Sequence, residues 1–120
     1  MIDITKESLA PRLFEWRKEE HRATACWHEV EIVYCLYLCG GIKKQIRLEE
    51  IAGQAWITYP QVFATWVNGE NVPDLALIHM TLGRAKSIED FVVGDWESGW
   101  RLTKKGTHLA KDIERRRRLG

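Results

Sequence analysis

The sequence lacks the signatures of several protein classes, and each absence narrows what the chain is. Its three cysteines, Cys26, Cys35 and Cys39, lie in one apolar run with no Cys-x-x-Cys pair, so neither a disulfide framework nor a zinc ribbon is indicated. Cys35 and Cys39 are four apart and can share a helix face, a spacing that fits a buried structural role better than metal ligation. No stretch has the cationic start and apolar middle of a signal peptide, and the run at 30–39 contains Glu31 and is too short to cross a bilayer. There is no phosphate loop, no Gly-x-Ser-x-Gly elbow and no pair of histidines at metal-ligand spacing. His21, His28, His79 and His108 fall on separate segments or faces, and His28 with Glu31 reads as an ordinary helix-surface pair. Glu89 with Asp90, and Asp95 with Glu97, stand beside turns, where carboxylates are usually solvated or capping. Internal repeats and low-complexity linkers are missing too. The expectation is a soluble cytoplasmic protein that avoids membranes and is not an enzyme, with no catalytic residues, no metal and no cofactor.

What is present is a globular balance: 45% apolar and 29% charged residues in 120, the size of one domain with one real core. Six tryptophans are many for this length. Core or groove filling is their default role, and stacking on a partner or on bases is the alternative. Net charge is only +1, so bulk electrostatics makes no general case for nucleic acid, but the distribution is uneven. Residues 48–72 carry no basic and three acidic groups, whereas 104–120 carry seven basic and two acidic.

Taken in order, Leu9, Leu13 and Trp16 recur at helical spacing with charges on the other sides, which predicts an amphipathic helix over 9–22. Residues 24–39 are apolar nearly all round and suit a central buried helix, stopped by Gly40-Gly41. Ile42 to Arg47 alternates loosely and fits a short strand. Leu48, Ile51, Ala52, Ala55 and Trp56 form one stripe on a further helix, with Glu49 and Glu50 near its positive end. Pro60 is placed to open a short extra helix carrying Val62, Phe63, Trp66 and Val67, before a turn at Asn68-Gly69. Pro73 suits the first position of a helix over 73–87, whose apolar face is Leu75, Ile78, Leu82 and Ala85. Two apolar runs, Phe91 to Val93 and Trp100 to Leu102, flank a Gly/Asp/Ser turn and predict a β-hairpin. Thr103 offers an N-cap to a last helix over 104–118, packed through Leu109 and Ile113.

The stretch Trp100-Arg-Leu-Thr-Lys-Lys-Gly106 resembles the end of the wing and the start of the last helix in winged helix-turn-helix domains, a small prokaryotic type of which is commonly DNA-binding. The resemblance extends in weaker form over about 29–114. It implies a mainly α fold with a small β-hairpin wing and an extra N-terminal helix: one domain at 1–120, with its core at 24–103, an insertion at 57–72 and a basic helix at 104–118. A helix placed before such a core can serve as a dimer arm, which would make the chain a homodimer. The implied function is binding of double-stranded DNA, as a transcriptional regulator or the DNA-reading part of a larger system. The implied recognition helix, 73–87, offers His79, Thr81, Arg84 and Lys86 off its apolar face, with Arg84 the first choice for a guanine or phosphate contact. Lys104, Lys105, Arg115, Arg116, Arg117 and Arg118 are the candidate phosphate partners, although the same arginine run also suits a plain solubilising helix end. The wing tip reads Gly-Asp-Trp-Glu-Ser-Gly, and two carboxylates there are unfavourable beside a polyanion. That tip opens the alternative of a protein-protein adaptor, with Trp96 as the partner-binding residue.

Overall fold

The computed structural model describes residues 27–119. The helix expected at 9–22, its dimer-arm role, His21 and Cys26 lie outside them. In chain order the described elements are α1 (Trp27–Leu38), α2 (Leu48–Thr58), α3 (Pro60–Phe63), β1 (Ala64–Val67), β2 (Glu70–Pro73), α4 (Leu75–Ser87), β3 (Val92–Asp95), β4 (Gly99–Leu102) and α5 (Lys104–Leu119). The architecture is mainly helical, with two antiparallel two-stranded hairpins.

Helix α1 is the centre: α2, α4, α5 and β4 all pack on it. Ile32, Val33, Cys35 and Leu36 are wholly buried and join Ile51, Phe63, Ile78, Leu82, Val92 and Trp100 in one apolar cluster. Its end is a Schellman turn, since Gly41 N–H donates to Leu36 O and Gly40 N–H to Tyr37 O, with Gly40 at φ +96°. The chain then runs along β4, with Gly41 O accepting from Leu102 N–H at 2.9 Å and Ile42 O from Arg101 Nη2 at 3.4 Å. Ile46 exchanges both backbone hydrogen bonds with Trp100 at 2.8 Å, a single bridge where a short strand at 42–47 was expected.

The segment after α2 departs from expectation. Pro60 does open a helical turn, but this stops at Phe63, and Trp66 and Val67 belong to a strand rather than to an extra helix. The reason is local: Thr65-Trp66-Val67 is β-branched and aromatic, and Asn68 and Gly69, at φ +51° and +82°, make the mirror-image turn that matches strand twist. Pro73 accordingly ends β2 and does not start α4; Asp74 is the N-cap, its Oδ1 accepting from Leu77 N–H at 3.1 Å. On α4, Ile78, Leu82 and Ala85 are buried as expected, but Leu75 is 50% exposed.

The hairpin β3–β4 lies where its sequence placed it, with Val92 against Leu102 and Asp95 against Gly99 in register. A Cβ on Gly94 would stand 2.1 Å from Gly99 O, so only glycine fits there. Helix α5 then packs on α1. Its buried residues are Gly106 and Ala110, with Leu109 and Ile113 half-buried beside them. Of the tryptophans with described side chains, Trp100 is buried and Trp96, at its turn, is exposed, whereas Trp56 and Trp66 face solvent against the expectation of core filling.

Candidate nucleic-acid and partner surfaces

Helix α4 presents little to a nucleic acid. Thr81 is 3% exposed and its hydroxyl donates to Leu77 O at 2.7 Å, so it belongs to the core and is not a groove-facing side chain. The spacing explains this correction: Ile78, Thr81, Leu82 and Ala85 form one stripe, and a threonine enters an apolar stripe cheaply when its hydroxyl is satisfied by its own helix. Arg84 Nε donates to Glu29 Oε2 at 2.6 Å, and Glu29 is fully buried on α1. The half-exposed guanidinium is thus committed to tying α4 to α1, which makes it a poor first choice for a base. Lys86 Nζ donates to Gly94 O at 2.7 Å and stands over the Trp100 ring, bracing the base of the β3–β4 hairpin. His79 is exposed, its ring edge-on to Trp100 at 6.5 Å. The other exposed positions on this helix are Leu75, Ala76, Met80 and Ser87. From Leu48 to Gly83 the chain has no Lys or Arg, while Glu49, Glu50, Glu70 and Asp74 are acidic.

The cations gather on α5. Thr103 caps it as expected: its Oγ1 accepts from Gly106 N–H at 3.0 Å and donates to Asp90 O at 2.7 Å. Lys104, Lys105, His108 and Lys111 line one open groove with Asp90, Thr103 and Thr107, and Lys105 Nζ lies 5.1 Å from the Phe91 ring centre. His108 and Lys111 are additions to the sequence-based set. Their signal was the spacing: Lys104, His108, Lys111 and Arg115 stand at i, i+4, i+7 and i+11, one face of a helix.

The arginine run divides. Arg117, itself exposed, lies against two rings, its guanidinium 5.1 Å from the Tyr34 ring and 5.8 Å from Tyr59, with Nη1 donating to Tyr59 OH at 3.3 Å. Arg115 and Arg116 pair with Asp112, the latter at 3.0 Å, and Arg118 lies 3.7 Å from Glu114. Glu114 also accepts from Tyr37 OH at 2.8 Å, which raises the Tyr37 pKa. These exposed pairs are weak and exchangeable. Arg84 and Arg117 are held by Glu29 and Tyr34, five positions apart on α1 and so about 140° apart around its axis. Arg84 and the arginine end therefore sit on different sides of the central helix.

The β3–β4 tip is ordered by its own aspartate. Asp95 Oδ1 accepts from Ser98 N–H at 2.7 Å, Ser98 Oγ at 2.9 Å and Glu97 N–H at 2.9 Å, and these bonds, the two from Ser98 foremost, hold its pKa below the usual carboxylate value. Trp96, at the same tip, is 69% exposed. Glu89, expected to be solvated or capping, is instead 2% exposed. Burial pushes the Cys39 thiol up to about 11 and raises that of Cys35 further, as suits inert structural thiols. Burial likewise moves Tyr59 up to about 12, against the lowering effect of Arg117. His28 Nδ1 lies 3.4 Å from Glu31 Oε1. Among the described residues no three of His, Cys, Asp and Glu are grouped as metal ligands, and no helix is long and apolar enough to cross a membrane.

Comparison of the chain with protein-family models, with curated proteins and with solved structures found no match.

Proposed function

We propose that the chain is a winged helix-turn-helix domain that binds double-stranded DNA, and that its phosphate contacts come from the C-terminal helix. The order of elements supports the fold: a central helix, a bridging residue at Ile46, the pair α2 and α4, then a hairpin and a last helix. The observation that carries the function is the groove lined by Lys104, Lys105, His108 and Lys111. Phosphate contacts need cations free to move toward a polyanion, and no carboxylate pairs with these lysines among the described residues. Such contacts hold and orient a duplex without reading sequence, so a regulator or a DNA-holding component of a larger system is the role that follows.

The test is fluorescence polarisation on a mixed-sequence duplex for the wild type and for a chain carrying Lys104→Ala, Lys105→Ala and Lys111→Ala. The triple variant should lose most of its affinity, while Arg84→Gln should bind as wild type. Equal binding by the triple variant would overturn the assignment of the groove.

A second, protein-contacting function is supported by Trp96, an exposed indole on an acidic and internally hydrogen-bonded tip. On this reading Trp96→Ala releases any protein that co-purifies with the chain and leaves the melting temperature unchanged. Retention of the partner would remove the wing from consideration.

A further inference from the structure

Large solvent-facing apolar side chains collect where the inserted hairpin leaves α2. Ile57 is 71% exposed, Trp66 70% and Trp56 38%. The Trp56 indole N–H donates to Asn71 Oδ1 at 2.7 Å, and Asn71 is the register partner of Trp66, so the two indoles belong to one face of the β1–β2 hairpin. None of the three belongs to the apolar core. Exposed indoles of this kind are the side chains that binding hot spots use.

Charge and position identify the occupant. The aromatic face lies in the stretch from Leu48 to Gly83 that has no Lys or Arg and four carboxylates, whereas 104–120 has seven basic and two acidic residues. These opposite surfaces are neighbours. Tyr59, two residues beyond Ile57 and directly before the hairpin's supporting turn, accepts from Arg117, and Arg116 and Arg118 are exposed on either side of that arginine. A two-fold axis passing between two adjacent, complementary surfaces sets each on its complement in the other copy, twice, and closes the assembly. Arginine on aromatic rings is already the contact that fastens α5 to Tyr34 and Tyr59 within one chain.

We propose that two copies of this chain form a closed dimer in which Trp56, Ile57 and Trp66 of each receive the arginine end of α5 of the other, with Glu70 at the hairpin tip completing the charge match. The lysine groove at the other end of α5 is left open. The dimer and the DNA reading are therefore independent, and either can fail while the other stands.

Sedimentation velocity on the full chain tests this at about 50 mM and about 500 mM salt, a range over which surface charge pairing is progressively screened. The wild type should dimerise more weakly at the higher salt. Trp66→Ala should raise the dimer dissociation constant by about tenfold or more with an unchanged circular dichroism melt. Glu70→Lys alone, and Arg116→Glu with Arg118→Glu alone, should each be largely monomeric, whereas an equimolar mixture of those two proteins should form a heterodimer, because both contacts in it are again of opposite sign. A wild type that stays monomeric at about 100 µM and low salt would overturn the proposal, where Kd values of useful strength are far below that. So would a dimer indifferent to Trp66→Ala and to both charge reversals, which would place the interface on another part of the chain.

Discussion

At the scale of single residues, the largest change of meaning falls on Arg84. Read along the sequence it is a cation on the solvent side of an amphipathic helix; in space its Nε is 2.6 Å from a carboxylate with no solvent exposure. A buried carboxylate that loses its hydrogen-bonded cation is costly, while a cation half in water contributes less than a fully buried one. Arg84→Ala should therefore destabilise the fold by about 1–3 kcal/mol in urea unfolding, with Arg84→Lys in between. No loss of stability would return Arg84 to the surface and to the DNA question. Glu29 could not be read from the sequence, since a 3.6-residue pattern marks which side chains face inward but not which remote cation meets a polar one. Thr81 was legible in principle, because it stands on the Ile78, Leu82 and Ala85 stripe, yet its hydroxyl made it look like a surface residue.

At the scale of elements, legibility followed local chemistry. The Gly40-Gly41 stop, the Thr103 cap and the β3–β4 hairpin depend on residues within one turn of each other, and all three lie where the sequence placed them. The segment 57–72 did not, because Val62, Phe63, Trp66 and Val67 satisfy a short helix and a strand alike, and the Asn68-Gly69 turn decides only when its two flanks are weighed together. The buried side of α5 was hidden for another reason: its buried residues, Gly106 and Ala110, are small. A Cβ at Gly106 would stand 2.0 Å from Phe91 O, so this glycine lets the helix start directly against the chain entering β3. Because backbone cannot yield as a side-chain end does, Gly106→Ala should cost about 1–3 kcal/mol or more despite its better helix propensity. A stabilised protein in thermal melting would show that the α5 start is looser than this contact implies.

At the scale of the molecule, charge and topology have come apart. The stretch from Leu48 to Gly83, which covers α2, the hairpin and most of α4, has carboxylates and exposed apolar side chains but no Lys or Arg, while seven basic residues lie on α5, which also packs on α1. A chain of net charge +1 can still hold a polyanion when its positive charge is confined to one face, because the interaction is local over about a Debye length. The measurement that bears on this most directly is the salt dependence of binding to mixed-sequence duplex DNA. Each phosphate contact contributes about −0.9 to the slope of log K against log salt. The wild type should bind with a clearly negative slope, and removal of Lys104, Lys105 and Lys111 together should flatten it by up to about 3 units, with folding intact. Wild-type binding absent even at about 50 mM salt, or a slope unchanged in the triple variant, would contradict a DNA-binding role for this helix.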